Sequence, residues 1–295
     1  MKVLNKIIII IILVTCLYAA FLIASDVSKI SEKISSFKIE FLPIIISLVT
    51  SGWFILFARW HLLLKNSKIF IPKKDNLVIF FSSFALAVIP GKMGDLIKSQ
   101  LLKTKFGIPR SRTVPIVMLE QLYTVIGLVF LSFFGIWYFE LGTYVIGFFT
   151  ALLVFVFILI SSRKTFNKMV LLLEKWKYTS KFVEPLSSSY DTIKTSIRGP
   201  IVFYASALTI IFWLIETIVV YFVLLSFGID SMEFLKVIPT YTTSLMLGFL
   251  SFLPMGVGVV EGSLVSFFSL HGIDISLSLT LVVVIRLFTR WYGVI

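Results

Sequence analysis

The sequence predicts an all-α polytopic membrane protein with about six full spans and two re-entrant helical hairpins in an inverted-topology repeat. Three observations lead there. Of 295 residues, 58% are hydrophobic and 14% charged, and the mean hydropathy is +1.03, a composition foreign to soluble domains. The net charge is nevertheless +12, with the basic residues gathered between apolar segments. Two of the apolar segments are broken by proline and glycine, at Pro90-Gly91-Lys92-Met93-Gly94-Asp95 and at Pro254-Met255-Gly256-Val257-Gly258. Lipid offers no partner to the backbone groups that such breaks free, so they persist only where protein or a water-filled cavity supplies one. A matched pair of breaks in two halves of a chain points to a transport site at a repeat interface.

The elements follow in order. Lys2 and Lys6 precede an apolar run through Ala24, read as an uncleaved first helix rather than a signal peptide. Spanning-length segments then fall at about 41–63, 113–138, 142–161, 200–226 and 276–295. Segments at about 76–104 and 233–271 hold the breaks, and each is read as two half-helices. A kinked continuous helix is the simpler alternative, but a single span needs only about 20 residues. Residues 1–295 form one transmembrane domain: a first repeat half at about 41–138, a basic cytoplasmic linker at about 162–199 and a second half at about 200–295.

Charge sets the orientation. With a cytoplasmic N-terminus, the inner side receives Lys65, Lys68, Lys73, Lys74, Lys92, Lys98, Lys103, Lys105, Arg110 and Arg112, together with the basic stretch 163–198. The outer loops hold only Lys29, Lys33, Lys38 and Lys236, offset by Asp26, Glu32, Glu40, Asp230 and Glu233. This positive-inside asymmetry predicts a multi-pass protein of the cell membrane whose two hairpins enter from opposite faces. A sequence repeat agrees. At an offset of 165, Gly107, Ile108, Ser111, Val117, Leu122 and Thr124 meet identical residues at Gly272, Ile273, Ser276, Val282, Leu287 and Thr289. At 164, Leu86, Pro90 and Gly94 meet Leu250, Pro254 and Gly258. In the linker, Phe166, Met169, Val170, Leu173 and Trp176 recur at helical spacing beside Lys168, Lys175 and Lys177. That pattern fits an amphipathic helix on an anionic leaflet, and a plain basic linker fits the same residues.

Ionisable groups at membrane depth cost about 2.5–3.5 kcal/mol each and mark functional sites. The candidates are Asp95, Lys98, Glu120, Glu216, Glu261 and Arg286, with Lys92 at a hairpin tip. Together they describe a polar cavity between the halves, lined by both signs of charge. Buried pairing that only fixes helix packing, for instance of Glu216 or Glu261 with Arg286, is the competing explanation. Half-helix N-termini after Gly94 and Gly258 would favour a phosphate there. Several chemistries lack their parts. No G-x-x-x-x-G-K-[ST] loop is present for nucleotide hydrolysis, and no D-x-D or adjacent acid pair for a metal-bound sugar nucleotide. With two histidines and one cysteine, Cys16, no metal site and no cofactor are expected. Nucleic acid is not an expected partner, since the chain offers little polar face on which to display its cations.

These motifs resemble the flippase-like family that includes the membrane region of lysylphosphatidylglycerol synthases. Its P-G-[RK]-x-G-E-x-x-R signature is similar to Pro90 through Lys98. Its P-x-G-x-G-x-x-E signature, followed by a Gly and R-x-x-x-x-W, is similar to Pro254 through Glu261, Gly272 and Arg286 through Trp291. The family's E-R-x-x-D pattern reads Glu120-Gln121-Leu122-Tyr123-Thr124, so Gln121 stands opposite Arg286 across the repeat. The soluble domain that attaches the amino acid in the synthases has no counterpart in this sequence. The resemblance therefore implies the non-enzymatic half of the activity: movement of a glycolipid, polyprenyl-phosphate-linked sugar or phospholipid between leaflets, without ATP hydrolysis. The principal contacts are expected around Glu261. Two other readings remain open: an ion-coupled small-solute transporter, and a non-catalytic partner of a lipid-modifying enzyme.

Overall fold

The computed structural model describes residues 33–86, 94–135, 140–174, 183–251 and 253–293. The expected first span, Cys16, and Pro90, Gly91 and Lys92 lie outside the described residues. Within them the chain is helical, with no strand.

A short 3₁₀ turn, Ile39–Phe41, leads into α1, Leu42–Asn66. Then come α2, Lys73–Ser82, a 3₁₀ turn at Phe84–Leu86, and α3, Ile97–Phe106. Next are α4, Arg110–Ser132, and α5, Glu140–Ser161. The linker forms α6, Arg163–Glu174, and α7, Val183–Ser196. The second half contains α8, Pro200–Ser226, α9, Phe234–Leu250, α10, Val259–Leu270, and α11, Ile275–Arg286. A π-helical turn, Leu287–Trp291, extends α11.

Among the described residues, four helices are long and apolar enough to cross a membrane: Ile39–Asn66, Arg110–Ser132, Thr143–Ile160 and Pro200–Ser226. They coincide with four of the expected spans. The last apolar segment differs, because its α-helix stops at Arg286 and widens into the π turn, with Tyr292 N–H donating to the Leu287 carbonyl at 2.8 Å. Such widenings are frequent at functional sites.

The legs on either side of each break pack against one another, α2 on α3 and α9 on α10. Close approach explains the glycines. A Cβ on Gly94 would overlap the Leu86 carbonyl, and one on Gly248 would overlap Val260 Cγ2. The second break bends sharply, with Met255, Gly256 and Gly258 at φ of 52°, 68° and 86°. After each third helix the chain turns through a left-handed glycine, Gly107 at φ 67° and Gly272 at φ 83°, before the next helix starts at Arg110 or Ile275.

The long helices α1 and α8 lie along each other, and α4 packs on α8, α9 and α7. Polar contacts gather at the two ends of the bundle. At one end Lys33 lies 3.8 Å from Asp274, and Lys38 N–H donates to the Ser226 carbonyl. At the other, Lys105 pairs with Asp75 at 2.5 Å, Arg112 donates to the Ser67 carbonyl and Asn66 to Ser196. The linker stripe lies partly against protein: Phe166 and Val170 are buried, Phe166 against Tyr190 at 4.8 Å, while Leu171 and Leu172 are exposed. The linker stripe thus forms one leg of an α6–α7 pair, with Tyr190 covering part of its apolar face.

Candidate functional site

A cavity of 460 Å³ gathers residues from both halves. Its apolar wall includes Trp53, Phe80, Phe84, Phe212, Trp213 and Phe249, and its ionisable lining is Arg59, Asp95, Lys98, Glu120, Glu216 and Arg290. Among the described residues, three cations therefore face three acids. Glu120 and Glu216 come from the interiors of 23- and 27-residue helices, far from the snorkelling positions at their ends.

The first-half cluster is built around Lys98, in the opening turn of α3. Its Nζ donates to Glu120 Oε2 at 2.5 Å and lies 3.3 Å from Asp95 Oδ1. The same ammonium sits over the Trp60 ring at 4.8 Å and near Phe80 at 5.5 Å. Gln121, beside Glu120 on α4, donates to Asp95 Oδ2 at 2.7 Å. Arg59 of α1 donates to Thr209 at 2.9 Å and reaches within 3.8 Å of Glu120. The Lys98 and Glu120 side chains are each 3% exposed. Burial at that depth requires paired charge with its hydrogen bonds satisfied.

The second-half cluster centres on Glu216. Its Oε2 accepts from Tyr241 Oη at 2.7 Å and from Arg290 Nη1 at 3.3 Å. Arg290 lies over the Trp213 ring at 5.9 Å.

Glu261 and Arg286 do not line the cavity. Arg286 Nε donates to Glu261 Oε1 at 2.6 Å, and one terminal nitrogen donates to the Met255 carbonyl at 2.6 Å. Glu261 Oε2 accepts the Gly258 N–H at 2.7 Å, which caps α10. This pair staples the second break shut behind the cavity wall. Of the residues expected around the second break, the Glu261 and Arg286 side chains thus bond each other and the break's own backbone, while Glu216 and Arg290 line the cavity. The first break is tied alike, acid to the following long helix, through Asp95 and Gln121. Among the other expected residues, Gly94 and Gly256 line the cavity and Gly258 does not, while Pro254 lies in the turn behind.

Sequence reasoning missed Arg59 and Arg290. Arg59 was visible as the one arginine inside the apolar run 41–63, and Arg290 as a second arginine one turn beyond Arg286. Among the described residues, no group of three His, Cys, Asp or Glu side chains is placed to hold a metal.

Known proteins are similar to this chain in sequence. A UPF0104 membrane protein of Methanothermobacter thermautotrophicus is 31% identical over 88 residues, 30% of this chain and 26% of that protein. The match thus spans about a quarter of that relative's length. A UPF0104 membrane protein of Methanocaldococcus jannaschii is 24% identical over 217 residues, covering 69% of this chain and 87% of the relative. The profile of the lysylphosphatidylglycerol synthase TM region matches residues 6–295, nearly the whole chain, so the protein belongs to that family of multi-pass membrane proteins.

Proposed function

We propose that this protein is a membrane lipid translocase of the flippase or scramblase type. It moves a polar lipid such as a glycolipid, a polyprenyl-phosphate-linked sugar or a phospholipid between leaflets, and it does so without ATP hydrolysis or other catalysis. The observation that carries this reading is the cavity, in which three cations and three acids from both halves converge among aromatic walls. So many charges are expensive in a bilayer interior unless a polar ligand or water enters among them. Their balance suits a headgroup that bears phosphate together with hydroxyl or cationic groups. A volume of 460 Å³ lies within the range of about 300–1,000 Å³ typical of small-molecule pockets. A headgroup fits there while the acyl tails stay in the bilayer.

The order of helices supports an inverted repeat as the moving part. Each half runs long helix, leg, break, leg and closing helix, and the two left-handed glycines fall 165 residues apart. The polar ends support a cytoplasmic N-terminus in the cell membrane, with Lys105 and Arg112 inside and Lys33 and Asp274 outside. Rocking one half against the other would alternate access to the cavity.

The test is leaflet exchange of fluorescent phospholipid and glycolipid in liposomes holding the purified protein. Wild type should accelerate exchange. The double variant Lys98→Met with Glu120→Gln, which removes a matched charge pair from the cavity wall, should abolish the acceleration. No acceleration by wild type, or full acceleration by the double variant, sinks the reading. Solute flux without lipid movement would place the protein among solute transporters instead.

A further inference from the structure

We propose that Arg290 is the oxyanion-binding residue of the cavity, and that Glu216 with Tyr241 forms its resting counter-ion, displaced when a phosphate-type anion arrives. This rests on the headgroup-cavity reading above and names the chemistry that the cavity recognises.

The three cavity cations are not equivalent. Lys98 is held by two carboxylates at 2.5 and 3.3 Å, and its side chain is 3% exposed. Arg59 is 5% exposed and is engaged by Thr209, Thr124 and Glu120. Arg290 is 21% exposed, the most open of the three. Both of its hydrogen bonds come from Nη1, to Glu216 at 3.3 Å and to the Thr289 carbonyl at 2.9 Å. Among the described residues, Nε and Nη2 make none. That edge of a guanidinium is the fork that receives two oxygens of a phosphate or carboxylate side by side. At 3.3 Å, the contact to Glu216 is also looser than the 2.5 and 2.6 Å contacts of the Lys98–Glu120 and Arg286–Glu261 pairs.

Glu216 is suited to release its partner. Its Oε2 keeps the Tyr241 hydroxyl at 2.7 Å when the arginine turns away, so the carboxylate is not left without a donor. Trp213 beneath Arg290 supplies a flat face against which the guanidinium can pivot. The arrangement predicts opposite effects from the two partners. Losing the arginine removes the anion's contact, whereas losing the negative charge of Glu216 removes a competitor for it.

The experiment is calorimetric titration of the full chain in detergent with three probes: dihexanoyl phosphatidylglycerol, phosphate-free dihexanoylglycerol, and inorganic phosphate. Wild type should bind the phosphate lipid at least about tenfold more tightly than the phosphate-free one, the scale of a charge-assisted bidentate contact. Arg290→Gln should erase that preference, Arg290→Lys should restore part of it, and Glu216→Gln should tighten phosphate-lipid binding by about threefold or more. An unchanged preference in Arg290→Gln overturns the proposal. So does weakened binding in Glu216→Gln, because it would make the pair a packing contact; this arm stands even if Arg290→Gln fails to fold. Inorganic phosphate bound as tightly as the lipid, with the same dependence on Arg290, assigns the site to a free solute. Tighter lipid binding assigns it to a headgroup, and both support an oxyanion site. Arg290-dependent binding without leaflet exchange removes the translocase reading and leaves the site. Leaflet exchange and phosphate preference both untouched by Arg290→Gln remove the site and leave the reading.

Discussion

Glu120 neutralises more than one neighbour. Lys98 lies 2.5 Å from one of its oxygens and Arg59 lies 3.8 Å from the other, and all three side chains are almost wholly buried. Removing the carboxylate strands two cations in a low dielectric. Glu120→Ala should therefore destabilise the protein by about 3–5 kcal/mol, read as a large fall in thermal midpoint in detergent. The double variant Lys98→Met with Glu120→Gln should lose less than Glu120→Ala, since it removes the pair rather than one member. Glu261→Ala should match Glu120→Ala in cost, because it orphans Arg286 and uncaps Gly258. The two acids then part company in function. At a temperature where each variant is still folded, Glu261→Gln should retain ligand binding, while Glu120→Gln alters the cavity itself. Equal losses of binding at matched stability would contradict the division between staple and lining. The acids after the breaks were legible from sequence as costly and therefore purposeful. Which acid met which cation was not, because Glu216 and Arg290 are separated by 74 residues, and hydropathy is read one segment at a time.

At the scale of elements, the breaks depend on close backbone packing as much as on proline. Gly248 sits where any side chain would meet Val260, and Gly256 Cα lies 3.5 Å from where its Cβ would be. Gly248→Ala should cost about 1–3 kcal/mol through overpacking, measured by thermal unfolding. The companion Gly248→Ala with Val260→Ala should recover part of that loss, and no recovery would mean the strain lies elsewhere. The linker pair offers a cleaner case. Phe166→Ala should lower stability by about 3–5 kcal/mol, as core phenylalanine truncations do, whereas exposed Leu171→Ala should change it little. The reverse ranking would show that the exposed leucines are the buried face in a bilayer. The helical stripe at Phe166 and Val170 was visible as a period. What covers it was not, since a stripe shows the same period against lipid as against Tyr190.

At the scale of the whole molecule, the fold separates two polar ends. The contacts of Lys33 with Asp274 and of Lys38 with Ser226 gather one end, and those of Asp75, Lys105, Ser67 and Arg112 the other. In a Cys16→Ser background, single cysteines at Lys68 and Arg112 should label from the cytoplasmic side only, and those at Asp230 and Asp274 from the opposite side only. Labelling of Arg112 and Asp274 from one side would contradict the proposed inverted arrangement of the halves. The sequence by itself determined the helical class, four of the six spans it predicts, the second break and the acids that follow the breaks. Each of these is a local property: apolar length must match bilayer thickness, and a broken helix in lipid must find partners nearby. Only the tertiary structure decided that Glu261 and Arg286 bond the second break rather than line the cavity, and that Arg59 and Arg290 join Glu216 there. That choice is made by distances between side chains on different helices, where a buried charge pairs with whichever opposite charge the packing brings within a few ångströms.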